Sequence, residues 1–184
     1  MVRALLTAFA FLFVSFAGTA LDDAAMLDLK NAKTPQADLI TGGQPSMADL
    51  KALKAQGVTM VINLRAPGEV TKHDDPAVAA KFNFDEAALV RSLGMTYMSL
   101  PIASADDLTT QSAELLDAAL GGADGKVLLH CGSGNRAGAL MALRAYHISG
   151  MAPEAALEAG KAAGLTKLEP AVRARLGLEA MTDQ

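Results

Sequence analysis

The chain has no tryptophan, 4% aromatic residues and a single cysteine among its 184 residues. One cysteine excludes an internal disulfide, so packing alone must hold the fold. Sparse aromatics and the lack of any basic run exclude the stacking platform and charged footprint of a nucleic-acid binder. Lys and Arg number 16 against 20 Asp and Glu, which leaves a formal net charge of −4. No repeat or low-complexity tract occurs. The one metal-like cluster is His73-Asp74-Asp75. Adjacent loop residues rarely complete a coordination set, and no second cluster accompanies them, so neither metal nor cofactor is expected.

What the chain has in quantity is Ala, Leu and Met, which favours many helices over an all-β sandwich. Its length suffices for one domain with a sizeable core. Residues 1–20 carry Arg3, an apolar run over 4–17 and the small residues Gly18-Thr19-Ala20. That pattern predicts a cleaved secretory signal and export, to a bacterial periplasm. The run is short for a membrane span of about 20 residues, so no stable insertion is expected after cleavage. Residues 21–38 read as a partly ordered lead-in, and 39–184 as the folded domain.

Within that domain the patterning alternates. Strands are expected at 39–41, 58–64, 95–102 and 126–130 from short β-branched or apolar runs. Helices are expected after Ser46, over 85–93, from Thr109 or Thr110 to 120, over 136–149, from Pro153 to 163 and over 169–176. Residues 70–84 show no clear pattern. Alternating strands and helices imply an α/β fold, a mostly parallel central sheet flanked by helices. Ligands in such sheets bind beyond the carboxyl ends of strands. The loops at 65–69, 103–108 and 131–136 all fall there.

The stretch that carries chemistry is Val127-Leu128-Leu129-His130-Cys131-Gly132-Ser133-Gly134-Asn135-Arg136-Ala137-Gly138. A strand ends in His-Cys, a Gly-rich loop follows, and Arg136 opens a long helix. Gly132 and Gly134 permit a compact nest of inward N–H groups. The helix N-terminus adds further donors and the positive end of its dipole. A thiol at such a place loses its proton more easily. Arg136 is a planar fork suited to two oxygens of phosphate or sulfate. A Walker-type phosphate loop is excluded, because no Gly-Lys-Ser/Thr follows.

This stretch resembles the His-Cys-x-x-Gly-x-x-Arg-Ser/Thr-Gly loop of cysteine-dependent protein tyrosine and dual-specificity phosphatases. His130, Cys131, Gly134, Arg136 and Gly138 match it in type. Four residues rather than five separate Cys131 from Arg136, and Ala137 replaces a hydroxyl residue. The shorter loop is similar to that of rhodanese sulfurtransferases, and to a bacterial phosphatase-like family with Cys-x-Ser-Gly-x-Arg that is sometimes fused to a metallo-β-lactamase-like hydrolase. Gly43-Gln44-Pro45, Leu50-Lys51-Ala52-Leu53 and Val61-Ile62-Asn63-Leu64-Arg65 extend the resemblance over roughly residues 39–150.

The resemblance implies a dual-specificity phosphatase-like fold and hydrolysis of a phosphomonoester through a phosphocysteine, with a phosphorylated protein or small molecule as partner. Cys131 would be the nucleophile, and Arg136 with Gly132, Ser133, Gly134 and Asn135 the phosphate cradle. His130 would fix the loop. Asp106 or Asp107, in the loop where the phosphatases keep an acid, would protonate the leaving group, with Asp106 slightly favoured because Asp107 is nearer a helix start. Arg65 would brace the loop or pair with Glu69. A Cys131 persulfide in a sulfurtransferase and a weakly active phosphate-binding module are the alternatives.

Overall fold

The computed structural model describes residues 27–70 and 74–179. The expected signal at 1–20 and His73 lie outside the described residues. Five strands form one sheet: β1 (Lys33–Gln36), β2 (Leu39–Gly42), β3 (Val58–Asn63), β4 (Thr96–Ser99) and β5 (Lys126–His130). Their order is β1-β2-β5-β3-β4, with β1 antiparallel at one edge and every other pair parallel. The α/β expectation therefore holds. The lead-in, however, contributes an edge strand, and Pro35 is tolerated there because an edge leaves some N–H positions unpaired.

Side chains alternate across the sheet. Leu39, Ile62, Val127 and Leu129 face one core cluster, and Ile40, Val61 and Leu128 face the other. The first cluster is closed by α4 (Thr110–Gly121), α5 (Asn135–His147), α6 (Pro153–Ala162) and α7 (Glu169–Leu176). The second is closed by α1 (Met47–Ala55) and α3 (Glu86–Ser92). Fully burying one Leu contributes roughly 1.5–3 kcal/mol, and Leu128 and Leu129 are both wholly inaccessible. The strand that delivers the cysteine is thus anchored from both faces.

Local signals set the element ends. Ser46 and Asp49 form a reciprocal capping box that starts α1. Asp85 caps α3 through the Ala88 amide. A short helix, α2 (Pro76–Ala80), occupies part of the segment that showed no pattern, with Asp75 as its cap. The β4 strand stops sooner than expected. Leu100 and Ile102 still donate to the carbonyls of Asn63 and Leu64, at 2.9 and 3.0 Å, but Pro101 between them has no N–H to extend the ladder.

The register decides what meets at the carboxyl edge. Gly42 pairs with His130, His130 with Asn63, and Asn63 with Ser99. These residues form one row across the sheet, and the loops after β2, β3, β4 and β5 all leave from it.

Candidate active site

Cys131 follows the last residue of β5, and its amide donates to the Gly42 carbonyl at 3.2 Å. Its side chain is 1% exposed, at the floor of the loop. Gly43 and Ser133 form an isolated bridge that pins the loop to the strand beside it. Gly134 turns with φ +82°, a conformation that strains any residue with a Cβ, and serves as the N-cap of α5. Having no side chain, Gly134 leaves the first-turn amides of α5 without a side-chain acceptor from the cap. This is the anion nest expected from the two glycines.

The lead-in supports the loop from beneath. Lys30 accepts from the Gly43 amide at 2.8 Å. Asn31, with φ +53°, donates to the carbonyls of Ser133 and Gly164 at 3.4 and 3.0 Å. On the far side Gly138 lets α6 and its exit approach α5: a Cβ there would stand 2.0 Å from the Leu165 nitrogen.

Arg136 reaches over the loop. Its two terminal nitrogens bond the Glu69 carboxylate at 2.8 and 2.6 Å, and one also donates to the Ile102 carbonyl at 3.1 Å. The guanidinium is held above its ordinary pKa by Glu69 first and by the charge of Cys131 as a further cause, against desolvation. Glu69 is lowered from 4.5 to about 2, chiefly by the Arg136 bond and against desolvation, with the Arg136 charge, the Ala66 amide and Arg65 as further causes. Arg65 is 9% exposed and clamps Glu69 twice, through its carboxylate at 3.3 Å and its backbone carbonyl. Of the two roles open to Arg65, it therefore pairs with Glu69, and it braces the cysteine loop only through that residue.

Below the cysteine lies a buried polar chain. His130 Nε2 meets Glu86 at 2.7 Å. Asn63 reaches the other Glu86 oxygen at 3.5 Å and donates to the Tyr97 hydroxyl at 3.0 Å. The Asn63 carbonyl accepts from the Arg65 amide at 2.7 Å, which ties this chain to the 65–69 loop. The Tyr97 hydroxyl is pushed up in pKa by burial first and by the Glu86 charge second, opposed by Asn63 and Arg91. His130 Nδ1 is buried with no hydrogen-bond partner among the described residues. A cavity of about 760 Å³ opens beside this chain, lined among others by Asn63, Arg65, Glu69, Glu86, Phe84 and Tyr97.

The structure thus brings His130, Cys131, Gly132, Ser133, Gly134 and Arg136 into one loop. The Asn135 side chain is a correction to the expected cradle: its oxygen accepts from the amides of Thr166 and Leu168 and from the Thr166 hydroxyl. Only its backbone remains for an anion. Asp107 is committed to the amides of Ala103 and Ser104, at 2.8 and 2.9 Å, as the cap partner of a short 3-10 turn. Asp106 is 96% exposed and lies 3.7 Å from Arg175. Glu69 and Glu86 were not singled out from the sequence. An i,i+4 Arg65–Glu69 pair was the only local signal for either.

Residues 31–147 match the family described as "Beta-lactamase hydrolase-like protein, phosphatase-like domain". A beta-lactamase hydrolase-like protein from Agrobacterium fabrum is 32% identical over 99 residues, which cover 54% of this chain and 21% of that relative. The chain thus spans about a fifth of the length of that relative. Among solved structures, a phosphatase candidate from Neisseria meningitidis has a TM-score of 0.60 at 24% identity, over 78% of this chain and 94% of its own. TpbA of P. aeruginosa, as a cysteine-to-serine variant in complex with phosphotyrosine, gives 0.54 at 19% identity, over 78% and 81%. Kinase associated phosphatase gives 0.54 at 17%, over 83% and 97%. The phosphatase-like fold is common to all of these, and by the match over 31–147 the chain belongs to the phosphatase-like domain family of the beta-lactamase hydrolase-like proteins.

Proposed function

We propose that this protein is a cysteine-dependent phosphatase that hydrolyses a phosphomonoester. The observation that carries the reading is the placement of buried Cys131 at the end of β5, within a glycine loop closed by Arg136. The Cys131 thiolate attacks phosphorus, forming an S–P bond as the bond to the leaving oxygen breaks. Arg136 and the loop amides stabilise the charge on the equatorial oxygens. Water then attacks phosphorus, the S–P bond breaks, and phosphate and thiolate are released. His130, held by Glu86, fixes the strand end from which the nucleophile projects.

The leaving oxygen takes a proton from Asp106 in this reading. Asp107 is occupied as a cap, whereas Asp106 has its carboxyl in solvent on the same rim. Export through the signal at residues 1–20 remains part of the proposal. The phosphotyrosine bound by the TpbA variant makes an aryl phosphate the natural first substrate. The four-residue spacing from Cys131 to Arg136 favours one second reading, sulfur transfer from thiosulfate through a persulfide.

Turnover of an aryl phosphate, measured against thiosulfate with Cys131→Ser as control, tests the proposal. Phosphate release lost in Cys131→Ser is the expected result. Turnover of thiosulfate alone would sink the phosphatase reading.

A further inference from the structure

The carboxylate that faces Arg136 is an anion at an anion site. Glu69 spans both terminal nitrogens of the guanidinium, the fork that suits two oxygens of a phosphate. Its Oε1 lies 3.3 Å from the point where a Gly132 Cβ would stand, so it sits against the nucleophile loop itself. Arg65 Nε and the Ala66 amide hold the same carboxylate at 3.3 and 3.2 Å. Glu69 is nevertheless 29% exposed, and the 760 Å³ cavity along residues 65–70 leaves room for it to withdraw.

We propose that Glu69 is a specificity-determining residue, a built-in monoanion that an incoming ligand must displace from Arg136 and that a dianionic phosphomonoester displaces far better than a monoanionic ester. The proposal rests on reading the loop as an anion cradle in a phosphatase. Exchanging one monoanion for another at the guanidinium gains no net charge attraction. A dianion brings a second charge to Arg136 and to the loop amides. The apparent affinity of every ligand is lowered by the fraction of molecules in which Glu69 has left, so the weaker competitors are the ones excluded. Sulfate monoesters and phosphodiesters are such competitors. A carboxylate whose role was only to orient Arg136 would act with the opposite sign, because losing it would weaken every anion.

The experiment is calorimetric binding of phenyl phosphate and phenyl sulfate to the full chain carrying Cys131→Ser, above pH ~7, where the phosphoester is a dianion. Phenyl phosphate should bind at least about tenfold more tightly, and adding Glu69→Gln should tighten phenyl sulfate at least about fivefold and shrink that ratio. Glu69→Asp, which keeps the charge, should preserve more of the discrimination than Glu69→Gln. Weaker binding of both ligands in Glu69→Gln, or an unchanged ratio, would overturn the proposal. Turnover of phenyl phosphate by the unsubstituted protein is measured separately. Its absence would overturn the phosphatase reading and leave the binding ratio to decide the role of Glu69.

Discussion

His130 and Glu86 meet at 2.7 Å although 44 positions separate them, and the contact lies directly under the cysteine loop. The His130 side chain is wholly inaccessible and Glu86 is 8% exposed. Removing one partner of a buried pair strands the other, which costs roughly 3–5 kcal/mol. Glu86→Ala should therefore destabilise the protein by about that much in denaturant unfolding, whereas Glu86→Gln, which keeps a hydrogen-bonding group, should cost less.

Arg136 is the only guanidinium seated on the loop among the described residues, and Lys cannot reproduce its planar fork. Arg136→Lys should lower kcat/KM for an aryl phosphate by about 10²–10³, with thermal stability showing that the fold is kept. Near-normal activity would mean that the cradle is misassigned.

The two aspartates of the 103–108 loop should separate by readout. Asp107 holds two amides, so Asp107→Ala should cost about 1 kcal/mol of stability in the manner of a lost cap. Asp106→Asn should leave stability unchanged. It should slow esters with poor leaving groups more than esters with good ones, which a series of substituted phenyl phosphates would show. An equal effect across the series would remove Asp106 from the role.

Glu69 gives a signed pH dependence. Its pKa falls from 4.5 to about 2 on folding, so the unfolded chain binds the proton more readily. The stability it contributes is fully present above 4.5 and is lost as pH falls toward about 2. Acid titration of unfolding should show this loss in the wild-type protein and a shallower one in Glu69→Gln.

Gly138 is a packing position. A methyl group there would overlap the Leu165 backbone, which no rotamer change can relieve. Gly138→Ala should cost at least about 1–3 kcal/mol, read from the midpoint of chemical denaturation.

Much of this arrangement is legible in the sequence, and the illegible parts share a cause. Ser46 with Asp49, Pro153 and the apolar run before His130 announce their elements through neighbours a few positions away. The Lys33–Gln36 strand has no apolar alternation, because an edge strand at the surface needs none. Glu69 and Glu86 look like ordinary solvated acids in their local context. Only the sheet register, which sets Asn63 beside His130, reveals that their partners lie 67 and 44 positions away. Asn135 misleads in the opposite way: its place in the loop suggests a ligand contact, yet its side chain joins α5 to the turn before α7.

Asn31 has a wider consequence. It joins the loop carbonyl of Ser133 to that of Gly164, so three stretches far apart in the chain meet at one side chain. During synthesis the cradle cannot take its final shape when Cys131 emerges, since its support at 164 is still to come. A truncated product ending before that point would contain every residue of the catalytic loop and still lack its finished geometry.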